Sequence, residues 1–187
     1  MKRITITDWS HQIVKKYVKE GDNCIDATAG KGNDTLFLSN LVGKSGKVLS
    51  FDIQQEAVEA TKKLLLDSKI SCNYNVILDS HVNMDKYIFK DSVSAVMFNL
   101  GYLPGGNHNI QTKYNTTIEA INVALELLKA GGIISICIYS GGDSGFIEKD
   151  KVLEYLRKLD NKKYLVIYNE FYNKPNNPPI PVFIFKL

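Results

Sequence analysis

The turn between the first apolar strand and the helix after it constrains this chain more than any other feature. The segment D-A-T-A-G-K-G-N-D spans residues 26–34. Glycines at positions 30 and 32 let the backbone adopt positive φ values and come close to a ligand, because no Cβ stands in the way. Asp52 follows about 20 residues after Gly32, at the end of the next apolar run, where a carboxylate can accept hydrogen bonds from a ribose. This layout predicts a nucleoside-binding β-α-β unit.

The kind of nucleoside is narrowed by what the turn lacks. Thr35 stands where the dinucleotide pattern G-x-G-x-x-G has its third glycine, and Asp26 precedes the turn. A carboxylate here repels a pyrophosphate, whereas it suits a ligand with a cationic or amino-acid end. S-adenosylmethionine combines an adenosine with such an end. We therefore expect Asp26 and Asp34 to accept hydrogen bonds from its ammonium, while Thr28, Gly30 and Gly32 supply backbone contacts.

Simpler explanations exist for the same residues. A tight turn before a helix also needs glycines, and Asn33 or Asp34 would be an ordinary helix N-cap. Asp52, taken alone, would cap the helix that follows it. The full succession of strand, turn, helix, strand and acid at this interval favours the cofactor.

The segment after the third strand adds to this site. Asp79, Ser80 and His81 come at the carboxyl end of the sheet, where open α/β folds bind ligands. Asp79 or Ser80 would bond the adenine amino group and His81 would lie near the ribose or the reacting centre, although a capped turn explains Asp79 equally well. The cofactor-binding candidates are Asp26, Thr28, Gly30, Gly32, Asn33, Asp34, Asp52, Ile53, Gln54, Ser80 and His81.

The order of elements predicts the fold. Strand-like and helical segments alternate through residue 159, which indicates a doubly wound, mostly parallel α/β sheet. Residues 163–171 and 181–187 are both strand-like and only a Pro/Asn turn separates them, so they must pair as an antiparallel hairpin. A seven-stranded sheet that ends in this way is the Rossmann-like fold of class I methyltransferases. At 187 residues, we expect a single domain over residues 1–187.

Three element bounds are predicted in detail. Apolar residues at helical spacing indicate an opening helix over residues 8–19. A second helix is expected over residues 116–129, closed by the glycines at 131 and 132. The fifth strand is then expected over residues 133–139.

The composition sets few further limits. A net charge of +3 permits an RNA partner without requiring one. No apolar run reaches the roughly 20 residues that cross a bilayer and the N-terminus lacks the apolar core of a signal peptide, so we expect a cytoplasmic protein with no membrane partner. Cys24, Cys72 and Cys137 lie in apolar segments without metal-ligand spacing, so we expect buried free thiols and no metal site.

The fourth strand ends in N-L-G-Y-L-P-G-G, residues 99–106. Its N-x-x-Y resembles the N-P-P-Y motif of amino-group methyltransferases. A nitrogen nucleophile must aim its lone pair at the methyl group, so its hydrogens need acceptors such as the Asn99 amide oxygen, and Tyr102 would stack on the base that carries the amine. Asn99 and Tyr102 are therefore the catalytic and substrate-binding candidates. Leu100 and Gly101 replace both prolines, and a plain glycine-rich loop is the alternative.

Two further questions concern the substrate that accepts the methyl group. An alkyl amine is protonated at pH 7, so some group must help to provide the neutral form, and His81, His108 and Tyr102 all stay open for this role. Asn177, within N-N-P-P, is a further substrate-facing candidate, although the same segment is typical of a stiff turn that starts the hairpin.

Together these segments resemble the YtqB-like family, small bacterial proteins long labelled rRNA methylases, whose characterised members are called MnmM. The resemblance rests on D-A-T-A-G-K-G-N-D-T-L-F-L, F-D-I-Q, D-S-H, F-N-L-G-Y-L-P-G-G and N-N-P-P, and it covers nearly the whole chain. It implies S-adenosylmethionine-dependent N-methylation of the aminomethyl group on 5-aminomethyl-2-thiouridine at the tRNA wobble position. It also implies that residues 26–34, Asp52, Gln54, Ser80 and His81 form the cofactor shell.

By the same resemblance, Asn99, Tyr102 and Asn177 would face the modified base. Gly142 stands where we expect many relatives to carry a histidine, so no RNA contact is assigned to that position. The partner implied is the tRNA anticodon arm. Basic residues that would contact its phosphates are Lys2, Arg3, Lys15, Lys16, Lys113 and Lys174, although scattered lysines usually only face solvent.

Several alternatives stay open at this point. The methyl group could go to rRNA, to a protein or to another amine. An NAD-binding oxidoreductase and a non-catalytic RNA-binding module are the alternatives from other classes. The sequence also leaves open whether the chain forms a homodimer.

Overall fold

The computed structural model of the chain describes residues 4–101, 112–139, 142–175 and 178–187. The elements in chain order are α1 (Ile6–Val14), β1 (Asn23–Asp26), α2 (Asn33–Val42), β2 (Lys47–Asp52), α3 (Gln55–Asp67), β3 (Asn73–Leu78), a 3-10 helix (His81–Lys86), β4 (Val93–Leu100), α4 (Tyr114–Leu127), β5 (Leu128–Ile138), α5 (Gly142–Leu156), β6 (Tyr164–Tyr168) and β7 (Ile180–Lys186).

The strands form one sheet in the order β3-β2-β1-β4-β5-β7-β6. Strands β1 to β5 run parallel, whereas β7 pairs antiparallel with both β5 and β6. The prediction of a doubly wound, mostly parallel sheet with an antiparallel C-terminal hairpin is therefore confirmed. Because the chain reverses its winding between β1 and β4, a crevice lies outside their carboxyl ends, and ligands of such folds bind there.

Two apolar clusters hold helices against the two faces of the sheet. On one face, Val14 of α1 and Leu38 of α2 pack against alternate residues of the central strands, such as Met97. On the other face, Ile121 of α4 and Val152 of α5 pack against the intervening residues. Alternation along each strand sends neighbouring side chains to opposite faces, so the central strands carry apolar side chains on both faces. The three cysteines are buried and free, as expected.

Helix α1 begins earlier and ends sooner than residues 8–19. Thr5 caps it with a reciprocal pair of hydrogen bonds to Asp8, which sets the first helical residue at Ile6. The helix ends at Val14, and a turn over residues 15–17 follows. The predicted apolar spacing is present, but its second half belongs to this turn.

The predicted closure of α4 by glycine is wrong. Helix α4 ends at Leu127, and Leu128 is already extended, buried and paired with Val93 of β4. The glycines at 131 and 132 therefore lie inside β5, where an irregularity in the β4-β5 register accommodates the extra residues and Gly131 has φ +73°. Pairing of Leu128 with Val93 sets this boundary, because it takes Leu128 out of the helix one turn before the glycines.

No helix in the described ranges is long and apolar enough to cross a membrane.

Candidate active site

The turn after β1 has the backbone that its glycines predict. Gly30 has φ +54° and Gly32 has φ +82°. Gly32 is the N-cap of α2, and a Cβ placed there would come within 3.0 Å of the Thr61 backbone in α3. Thr61 also donates a hydrogen bond to the Gly30 carbonyl, 3.3 Å from Oγ1. Helix α3 thus packs directly on the turn, and only glycine at position 32 permits this close approach.

Asp52, at the end of β2, ties two backbone segments together. Its Oδ2 accepts a hydrogen bond of 2.9 Å from the Gly30 N–H, and its Oδ1 accepts one of 2.9 Å from the Gln54 N–H. Each carboxylate oxygen can accept more than one hydrogen bond, so Asp52 retains capacity for ligand hydroxyls. The next residue, Ile53, exposes 61% of its surface beside this carboxylate. A polar and an apolar contact surface therefore lie side by side.

Asp26 has a structural position that the sequence did not indicate. It is fully buried, and it accepts hydrogen bonds from the Thr28 N–H at 3.2 Å and from the Thr35 hydroxyl at 2.6 Å. Ser50 of β2 in turn donates to the Thr35 oxygen. Burial is the main cause that raises the pKa of Asp26, and the nearby charge of Asp34 adds to it. Asp26 therefore organises the turn from inside and exposes no surface for direct contact with an ammonium.

Asp34, in the first turn of α2, joins two elements at the carboxyl end of the sheet. Its Oδ2 accepts a hydrogen bond of 2.6 Å from Asn99 Nδ2 at the end of β4. Its Oδ1 lies 2.6 Å from His11 Nε2 of α1. The Asn99 N–H also donates to the Thr28 hydroxyl at 2.7 Å. The predicted cofactor residue Asp34 and the predicted substrate residue Asn99 are thus in direct contact.

The residues after β3 enclose the other side of the crevice. Asp79 accepts hydrogen bonds from the Ser80 N–H, Asn83 Nδ2 and the Tyr87 hydroxyl. The bonds from Asn83 and Tyr87 are the main causes that lower its pKa. Ser80 caps the 3-10 helix through Val82. Asp79 therefore matches the alternative of a capped turn.

His81 faces the turn after β1. Its Nδ1 lies 3.1 Å from the Ala27 carbonyl oxygen, so this nitrogen carries the hydrogen and Nε2 is left as an acceptor. The ring packs edge-on against Phe98 of β4. Burial is the main cause that lowers the pKa of His81, so the imidazole is neutral at pH 7.

Three predicted site residues lie outside the described ranges, and the sequence did not predict the histidine that contacts Asp34. Tyr102, His108 and Asn177 lie outside the described residues. His11 was not predicted, because a single histidine on an amphipathic helix gives no signal of the carboxylate it meets across the fold.

A groove lies between the start of α1, the end of β5 and the segment before β7. It is lined by Ile4, Thr5, Ile6, Thr7, Tyr139, Lys174, Pro178 and Pro179. Tyr139 follows β5 and lies next to Gly101, where an added Cβ would be 3.5 Å from the Tyr139 Cβ. Lys174 lies 4.1 Å from the Phe171 ring centre. Through Tyr139 the groove therefore lies beside the residue that follows β4, and Lys174 gives it a basic side chain.

Comparison with known proteins agrees with this architecture. The family model described as "Putative rRNA methylase" matches residues 48–185. A tRNA (mnm5s2U34)-methyltransferase, chloroplastic, of Arabidopsis thaliana is 35% identical over 96% of this chain and 69% of its own length.

Solved structures give the same result. A Clostridium thermocellum protein that bears the same description as the family is 51% identical over the whole of both chains, with a TM-score of 0.96. A Streptococcus mutans protein described as a methyltransferase, in complex with SAH, is 38% identical over the whole of both chains, with a TM-score of 0.88. These matches, together with the reversed strand β7, favour a methyltransferase over the NAD-binding alternative. The chain therefore belongs to the rRNA methylase family of Rossmann-like class I methyltransferases.

Proposed function

We propose that this S-adenosylmethionine-dependent methyltransferase methylates the amino nitrogen of 5-aminomethyl-2-thiouridine at the wobble position of tRNA. The observation that carries the proposal is Asn99, whose amide nitrogen is bound to Asp34 while no described residue donates to its oxygen. At the end of β4, an amide oxygen to which no described residue donates suits an acceptor with N–H hydrogens. The activity for which the Arabidopsis relative is named supports the same substrate.

The residues around the β1 turn fit the cofactor. Gly30 and Gly32 give the turn the positive φ values that the sequence predicted, and Asp52 at its edge retains acceptor capacity for ribose hydroxyls. We propose that the exposed Ile53 packs on the adenine, and that Thr28, Asn33, Gln54, Ser80 and His81 complete the shell. When bound, S-adenosylmethionine supplies an activated methyl group on its cationic sulfonium.

Burial of His81 suits a cationic cofactor. A neutral His81 adds no positive charge that would repel a sulfonium, and its Nε2 can accept a hydrogen bond. Asp26, in contrast, acts through the turn. We propose that it holds Thr28 and Thr35 in place and makes no direct contact with the ammonium.

The acceptor would enter along the groove beside Gly101 and Tyr139. Asn99 would hold one amine hydrogen, so that the nitrogen lone pair faces the methyl group. We keep Tyr102 and Asn177 as proposed contacts of the base. Lys15, Lys16 and Lys113 are proposed phosphate contacts for the anticodon arm, as is Lys174, which borders the groove.

The test is nucleoside analysis of tRNA from a strain in which this protein is deleted. We expect 5-aminomethyl-2-thiouridine to accumulate and its N-methyl derivative to disappear, with rRNA nucleosides unchanged. Wild-type protein should restore the derivative, whereas N99A should not. The matched control is N40A, which removes an exposed asparagine of α2 whose side chain donates to the Leu36 carbonyl of the same helix. Unchanged tRNA together with a lost rRNA methylation would favour the rRNA alternative, and full rescue by N99A would refute the role of Asn99.

A further inference from the structure

The orientation of the Asn99 amide is fixed by its neighbour. Asp34 presents a carboxylate oxygen 2.6 Å from the Asn99 side chain, and two oxygens at that distance would repel each other. The NH₂ end must therefore face Asp34, which leaves the amide oxygen on the opposite side. The backbone of Asn99 is held independently by the Thr28 hydroxyl. Rotation of this side chain is thus controlled by Asp34.

Asp34 itself needs a second partner. Only 5% of its surface is exposed, and a buried carboxylate is costly unless donors satisfy both oxygens. The donor to its other oxygen is His11 Nε2 at 2.6 Å, from a different helix.

His11 is held in place by more than this one contact. Its ring stacks on Phe37, with ring centres 3.7 Å apart and planes 2° from parallel. Asp34 and Phe37 are three residues apart on α2 and therefore share a helix face, so one imidazole can stack on the ring and reach the carboxylate. Helix α1 is anchored at the neighbouring Ser10, whose hydroxyl lies 3.3 Å from the Cys137 sulfur.

We propose that His11 is a positioning residue for methyl transfer. Through Asp34 it holds the Asn99 amide with its nitrogen bound and its oxygen free for the acceptor amine. The inference rests on the proposed function for the amine, but the chain from His11 to Asp34 to Asn99 is a property of the fold alone. Loss of His11 leaves one Asp34 oxygen without its donor, which lets the carboxylate and then the amide rotate.

The experiment measures single-turnover methylation of the aminomethyl-thiouridine tRNA and dissociation constants for S-adenosylmethionine with H11A, H11Q and Q12A. A hydrogen bond to a charged group is strong enough that H11A should slow methylation by about 10- to 100-fold. Cofactor affinity should change less than about threefold, because His11 lies outside the proposed shell. H11Q keeps an N–H donor and should recover most of the rate. Q12A changes an exposed residue on the same helix and should match the wild type.

A second readout does not depend on activity. The Asn99 side-chain NH₂ signals, identified by their loss in N99A, should be shifted by the short bond to Asp34 in heteronuclear NMR. They should move towards free-amide values in H11A and return in H11Q. Rates and NH₂ signals in H11A that equal those of Q12A would overturn the inference. If wild-type protein methylates no such tRNA, the proposed function fails, while the NMR measurement still decides the positioning role.

Discussion

Substitution of Gly32 by alanine tests how closely the cofactor turn is packed. The residue has φ +82°, and its new Cβ would lie 3.0 Å from both the Thr61 Cα and Oγ1. Left-handed backbone costs a non-glycine residue about 1–2 kcal/mol. Overpacking against neighbours that cannot yield adds about 1–3 kcal/mol. Because the Thr61 Cα is backbone, α3 must shift, and we expect a total loss of about 3 kcal/mol in the free energy of unfolding.

The matched control is Gly131→Ala. Gly131 also has a positive φ, +73°, but a Cβ added there would meet nothing within 4 Å. Both substitutions remove the same flexibility from the unfolded chain, so this contribution cancels in the comparison. The difference between the two variants therefore isolates the contact with Thr61.

Urea unfolding and thermal unfolding measure the effect. In a chain of this length, about 3 kcal/mol corresponds to a midpoint lower by roughly 6–12 °C. G131A should lose only the cost of the left-handed backbone, about 1–2 kcal/mol. G32A should also bind S-adenosylmethionine more weakly, since α3 and the turn move together. If G32A is no less stable than G131A, the packing argument for the turn is refuted.

Three further predictions concern carboxylates and a histidine of the site. The pKa of Asp26 is raised in the folded state, so the folded protein binds this proton more tightly than the unfolded chain does. The free energy of unfolding of the wild type, relative to that of D26N, should therefore fall as the pH rises above 3.8. Urea titrations at several pH values measure this difference. His81 should titrate below pH 6.5 with its hydrogen on Nδ1, which imidazole NMR reports directly; titration above 6.5 would contradict its burial. D52N places an amide NH₂ against the Gly30 or Gln54 N–H, so it should weaken cofactor binding by about 10-fold or more, as measured by calorimetry. E59Q, which changes an exposed residue of α3, should leave cofactor binding unchanged.

The order of the sheet could be predicted from the sequence because it follows from local signals. Apolar strands, helical spacing and the short link before β7 leave few possible topologies. The start of β5 could not be predicted, because it depends on where Leu128 finds a buried partner on β4, which is a tertiary contact. Two glycines after a helical pattern normally end a helix, and here the pairing of Leu128 with β4 overrides that preference.

In the site, too, local features could be predicted from the sequence, whereas contacts between distant elements could not. Glycine spacing and Asp52 were sufficient to predict the turn, since backbone geometry requires those residue types. The buried role of Asp26 depends on Thr35 and Ser50, whose hydroxyls meet it only when α2 and β2 pack together. His11 reaches Asp34 from another helix, and no pattern within α1 encodes that contact.

The most direct test of the account uses purified protein, S-adenosylmethionine and tRNA that carries 5-aminomethyl-2-thiouridine. Mass spectrometry of the digested nucleosides should show that this one nucleoside gains the mass of a single CH₂ on its amino nitrogen, and that tRNA without the aminomethyl group is unchanged. N99A should lose this transfer while it keeps cofactor binding. Methylation at any other nucleoside, or no transfer at saturating cofactor and tRNA, would contradict the account.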